Sequence, residues 1–418
     1  MSKLASSTQN VSILRRLNGE NYAEHQWKKD PYLSDIKKSE KGFSEGVTRI
    51  VRVTEVAGTS PDFATALANQ NATEEKRFTV TEKHLYTIFS LDGAFMRKAK
   101  GKPNTLMKAY LSQSKGAMRE FEDMVAFSAW NNEGGAISQL ASNTTLSSTT
   151  IRLNQSAALW NLNPKNKRLV FSSDNGTGSS PAGLRDAGAS VKCTGVNFVD
   201  NTLTVDTALS TAVPSIAATD YVFFEGAYND SASGKRAWNP ITAPSSTAFF
   251  GVDRSTDIEK LSGWRVAAAQ SMENTLIDAM VVSATANADM PKCYTNLRNW
   301  ANLIKELGVK ITQDANGEKR KVGFRGVEVI GPQGTCMVVG SSLVPYGYAW
   351  AGDPSTDEML SEGECPQILN EDGIGPLMRN PEADNYQSRL GGDYNFLPAD
   401  TDKKLGPGGW VIITWPTV

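Results

Sequence analysis

Chemistry at a protein site needs a nucleophile, a base or a metal-ligand cluster at workable spacing, and this chain offers few candidates. It has only two histidines, His25 and His84, and neither sits in a context that suggests a Ser/His/Asp or Cys/His constellation. The sequence contains no G-x-S-x-G elbow and no HExxH pair. It also lacks a phosphate loop, since Gly234-Lys235-Arg236 is missing both the leading glycine and the following Ser or Thr. The Gly176-x-Gly178 step meets Pro181 where a third glycine belongs and opens no helical pattern, so it reads as a loop between strands. Neighbouring carboxylates, Glu74-Glu75 and Glu371-Asp372, could act as acid and base on a glycoside, but exposed acidic pairs are ordinarily solvated surface. The four cysteines, Cys193, Cys293, Cys336 and Cys365, lie far apart without a CxxC pair and read as buried free thiols, not a zinc site or disulfide framework. The expectation is therefore a non-enzyme with no catalytic residues, no metal and no cofactor.

Composition narrows the alternatives. The 418 residues are 40% hydrophobic and 21% charged, ordinary for a globular chain but too long for one undivided core. A formal net charge of −2 gives no basic field for gripping nucleic acid. It is compatible with weak contact to enclosed DNA, where many cations would act as glue. The N-terminal residues lack the apolar run of a signal peptide and no stretch approaches a membrane span, which predicts a cytoplasmic protein with no membrane contact.

The elements that would have to position any functional residue can be read from periodicity. Residues 1–45 mix charge and polarity and predict an N-terminal arm. GVTRIVRVTEV alternates like a strand, and EEKRFTVTEKHLYTIFSLDG resumes β-branched and aromatic character, which predicts a long β-hairpin extension over residues 46–92. Such a ribbon has little hydrophobic face of its own, so a neighbouring chain is one way to stabilise it; packing on its own domain is the other. After Pro103, Met107, Leu111, Met118, Phe121 and Val125 recur at helical spacing and predict a spine helix within residues 93–148, stopped by Gly134-Gly135. A Thr-, Ser- and Asn-rich stretch of short strand-like runs predicts a small all-β insertion over residues 149–236. Residues 237–418 then predict an axial α+β domain with returning peripheral strands. Helical character runs through STDIEKLSGWRVAAAQSMENTLIDAMVVSATAN and YTNLRNWANLIKELG, with a hairpin at Asn316-Gly317 and a closing strand at Trp410–Trp415.

The segment FFGVDRSTDIEKLSGWRV, Phe249 to Val266, resembles a GVDRS stretch followed by L, G and R in major capsid proteins of tailed bacteriophages, those of the Hong Kong 97-type capsid fold. The order of elements is similar along nearly the whole chain. The resemblance implies an α+β capsid subunit with arm, β extension, spine helix and axial domain, self-assembling as hexamers and pentamers into an icosahedral shell around double-stranded DNA. It also implies a place in the virion capsid, assembly in the host bacterial cytoplasm, and possible scaffolding, portal and cement partners. Charged residues flanking the extension, Arg49, Arg52, Glu74, Glu75, Lys76 and Arg77, are then the candidates for ion pairs between subunits, against the plainer reading of solvated charge. The alternative from another class is a phage or bacterial surface protein whose β region binds glycans, with Trp160, Tyr221 and Tyr228 as the nearby aromatics.

Overall fold

The computed structural model describes residues 30–40, 43, 46–98, 103–154, 162, 164–177, 182–197, 200–307, 327–332, 334–369, 377–380, 382–398 and 409–416. The fold is α+β. Its spine is a helix, Pro103–Trp130, of 28 residues, about 40 Å long at 1.5 Å per residue. Pro103 stands at the helix start, where a missing N–H costs nothing. At the other end Gly134 and Gly135 carry the chain through backbone so close that an added Cβ would lie 2.0 Å from the carbonyl oxygens of Asn175 and Ala227.

Along one side of this helix runs the longest strand, Asn385–Pro398. One of its edges pairs with Lys83–Asp92 and the other successively with Met378–Arg379, Gln367–Ile368 and Asp357–Ser361, all antiparallel. Lys83–Asp92 alternates cleanly: Phe89 and Leu91 are buried with Tyr110 and Ala117 of the spine helix, while Tyr86 and Ile88 face outward.

A second sheet of six strands runs in the order Trp264–Val266, Val411–Thr414, Tyr348–Gly352, Lys292–Asn296, Gly334–Ser341 and Val327–Gly331. It is covered on both faces, which explains its near-continuous apolar strands. Cys293, Ala351, Val411 and Ile413 pack with the helices Met272–Thr285 and Leu297–Leu307, whereas Tyr294, Trp350, Trp410 and Ile412 pack toward the end of the spine helix.

Six further short strands between Ser138 and Phe224 form a barrel. Its edge strands meet through the Leu140–Leu153 bridge, with Ala141 N donating to Arg152 O and Asn154 N to Gln139 O at 2.9 Å each. Closure removes both sheet edges from water. Leu140, Ile151, Leu169, Phe171 and Val222 fill the barrel, and Met124 and Phe127 of the spine helix pack against that core. Lys167 fixes the docking: its ammonium pairs with Glu120 of the spine helix and lies 4.4 Å from the Phe224 ring centroid.

Several expectations change in detail. Residues 30–39 are not a free arm. Asp30 caps a short helix, Pro31–Asp35, and a strand, Lys37–Ser39, follows at the edge of the main sheet. Tyr32, Leu33 and Ile36 are buried there, spaced so that one turn places all three inward; residues 1–29 lie outside the described residues. The long helical pattern after Ser255 is broken at Gly263, which has φ +81° and whose Cβ would stand 2.7 Å from Trp410 O. The chain therefore leaves the helix Ile258–Ser262 and enters the strand Trp264–Val266. Tyr294 and Thr295 likewise belong to a strand, not to the helix that follows. The Asn316-Gly317 turn falls outside the described residues.

Candidate assembly surface

Val47–Thr54 and Glu74–Val80 form a two-stranded antiparallel ribbon that pairs with no other strand among the described residues. The expected excursion is shorter than residues 46–92. At Thr81 and Glu82 the chain turns out of the ribbon, and Lys83–Asp92 joins the main sheet because its apolar alternation matches the spine helix. Asn395 holds the turn by donating from Nδ2 to Thr81 O at 2.8 Å.

The two ends of the ribbon have opposite surroundings. Val51, Val53, Phe78 and Val80 are buried against Trp238, Phe249, Val252 and Leu261. Phe78 is wholly enclosed, with ring centroids 5.4 Å from Trp238 and 6.2 Å from Phe249 in edge-on geometry. Among the described residues from Thr54 to Arg77, none is buried. This outer part includes the Ala57–Asn71 bridge and a short helix, Phe63–Ala68, capped by Asp62. It exposes Val56 to 65%, Phe63 to 81% and Leu67 to 61%.

The seat of the ribbon is the Phe249–Val266 segment itself. Ala248–Phe249 and Val252–Asp253 pair around a two-residue turn, Phe250-Gly251, with both φ values positive as such a turn requires (47° and 81°). Asp253 accepts from Ser255 N and Oγ, which holds its carboxyl below the usual carboxylate range. Arg254 enters the interior. Its guanidinium lies 4.0 Å from the Phe249 ring centroid, and Nη1 donates to Ala237 O at 2.7 Å and Trp238 O at 3.2 Å. Burial lowers its pKa to about 10, with the charge of Glu133 opposing and that of Arg265 adding to the shift, so it remains charged at neutral pH. Asp257 then caps Ile258–Ser262, and Lys260 of that turn donates to Val53 O of the ribbon.

The six charged candidates fall along the ribbon. Arg49 donates to Glu358 of the main sheet at 2.7 Å. Arg52 lies 3.8 Å from Glu75 across the ribbon, and Lys76 lies 2.8 Å from Glu74. Arg77 is exposed and makes no ion pair among the described residues. Sequence reasoning missed the seat: an arginine close behind the apolar run FFGV in FFGVDRS was the available signal, since a buried guanidinium needs carbonyl or carboxylate partners. Of the aromatics named for the glycan alternative, Tyr221 lies on the barrel strand Tyr221–Phe224. Trp160 lies outside the described residues, and Tyr228 uses its hydroxyl on Asp174 and Gly183 N and packs its ring against Phe223. No cluster of His, Cys, Asp or Glu able to hold a metal occurs among the described residues.

No protein-family model matches the chain, and no curated protein matches it. Among solved structures it is similar to the Cyanophage A-1(L) capsid asymmetric unit, at 9% identity and TM-score 0.48, over 91% of this chain and 90% of that one. It is also similar to the capsid of the native GTA particle, at 8% identity and TM-score 0.43, over 92% and 89%. A third is the satellite phage P4 procapsid including the size determination protein, at 8% identity and TM-score 0.39, over 99% and 92%. All three are capsids or procapsids. The roles of individual residues follow from this molecule's own geometry.

Proposed function

We propose that the chain is the major capsid subunit of a tailed bacteriophage, a structural protein that assembles with copies of itself, as hexamers and pentamers, into an icosahedral shell enclosing double-stranded DNA. The observation that carries this reading is the ribbon. Its inner half is anchored by buried aromatics, while its outer half has no buried residue and still carries Val56, Phe63 and Leu67. An isolated two-stranded ribbon gains little stability in water, and an exposed apolar cluster rimmed by polar residues marks a contact surface. The same chain supplies an apolar counterpart on the outward face of Lys83–Asp92, where Tyr86 and Ile88 are 58% and 59% exposed. Each subunit would lay its ribbon tip on a neighbour and receive another, a head-to-tail contact that closes into rings when the rotation allows. Many modest contacts of this kind sum to a durable container.

On this reading Arg77 and the exposed ends of the Arg52–Glu75 and Lys76–Glu74 pairs exchange partners between subunits. Scaffolding, portal and cement proteins and weak contact with packaged DNA belong to the same proposal, as do residence in the virion and assembly in the host cytoplasm. Negative-stain electron microscopy of the purified chain over a range of salt and concentration, with and without a co-expressed scaffolding candidate, tests it. Shells, tubes, sheets or discrete hexamers are expected. A monomer or small compact oligomer under every condition would overturn it.

A further inference from the structure

Where the segment 30–39, the spine helix and both sheets meet, the core holds an ion pair that the assembly reading does not use. Lys235 Nζ lies 2.5 Å from Asp357 Oδ2, and the two side chains are 3% and 5% exposed. Lys235 opens a one-turn helix, Lys235–Trp238, and Asp357 opens the strand Asp357–Ser361. The Trp410 ring lies under the amine at 3.7 Å to its centroid, and Tyr32 packs edge-on to Trp410 and presents its hydroxyl to Asp357 Oδ2 at 2.9 Å.

We propose that Lys235 and Asp357 are a modification site, joined within the chain by an amide bond between Nζ and Cγ. The inference is independent of the capsid reading. Burial pushes the Lys235 ammonium down to about 8, offset in part by Asp357, and pushes the Asp357 carboxyl up against the lowering effect of Lys235. Both directions favour a neutral amine beside a neutral carboxylic acid, and one proton moving along the short contact from Nζ to Oδ2 creates that pair. The Nζ lone pair then attacks Cγ, and the Cγ–Oδ2 bond breaks. Oδ2 leaves as water, carrying its own proton and one more from Nζ. Tyr32, already bonded to Oδ2, is placed to stabilise the departing oxygen and relay that proton. The step consumes no oxidant, metal or cofactor, and holding Nζ against the Asp357 carboxyl supplies the proximity that the uncatalysed condensation lacks.

The test is the intact mass of the full-length chain under denaturing conditions, followed by proteolytic mapping. The expected mass is lower than the sequence mass by one water, with a branched peptide linking Lys235 to Asp357. The full sequence mass, with cleavage after Lys235 and ordinary linear peptides, would overturn the proposal. Lys235→Arg keeps the charge but cannot form the bond, and it should return the full mass; a deficit that persists there would also sink the idea. Asp357→Asn closes the same amide by losing ammonia, so its product should have the same mass as the wild-type product. If Lys235→Arg fails to fold, the wild-type and Asp357→Asn masses decide the matter, since matching masses require the same bond and unchanged sequence masses exclude it.

Discussion

The two ends of the ribbon are joined by the same pair of strands, yet differ in what surrounds them. At the seat, Phe78, Val51 and Val80 have exchanged water for Trp238, Phe249 and Leu261. At the tip, Phe63 and Leu67 stay exposed among the described residues. Burial separates them: the seat stabilises the subunit, and on the proposed reading the tip is left for another copy.

Substitutions sharpen that division. Phe78→Ala should have the largest effect on the subunit, about 3–5 kcal/mol from lost transfer energy and an unfilled cavity, read as a lowered thermal midpoint and protease sensitivity of the ribbon. Arg254→Leu comes next. It strands the Ala237 and Trp238 carbonyls, which Arg254 now satisfies, and should cost about 2 kcal/mol in the same measurement. Arg49→Ala removes a half-buried pair with Glu358 and should cost no more than about 1 kcal/mol. The smallest effect is beside the turn that leaves the ribbon, where His84 meets Asp393 at 2.7 Å. The hydrogen bond to Asp393 raises the His84 pKa above its ordinary value, with burial opposing. Because the folded state holds the proton more tightly, the pair's contribution is complete below the unfolded histidine value and is lost as pH rises through the folded one. His84→Gln should therefore flatten a shallow fall in thermal midpoint as pH rises above the ordinary histidine value; an unchanged slope would assign the fall to other groups.

The fold around this division was legible in the sequence, but unevenly so. The spine helix was readable because Met118, Phe121 and Val125 repeat at helical spacing and Pro103 marks its start. The ribbon's first strand was readable from its alternation. Its limit was not, because Glu74–Val80 and Lys83–Asp92 look alike locally and only the spine helix distinguishes the strand it covers. Residues 30–39 looked like part of an arm because Tyr32, Leu33 and Ile36 are too few to set a period; their burial depends on partners more than a hundred residues away, such as Asp357 to Tyr32. Lys235 appeared only as the residue of a failed phosphate loop, since nothing local announces a carboxylate 122 positions on.

The most direct test of the division between seat and tip is the double variant Phe63→Asp with Leu67→Asp, compared with the wild-type chain by thermal unfolding and by electron microscopy under assembling conditions. Both side chains are exposed in the subunit, so the expected thermal midpoint stays within the effect of about 0.5 kcal/mol usual for surface changes, while shells are lost. Normal shells from the variant, or a subunit that unfolds along with their loss, would contradict that division.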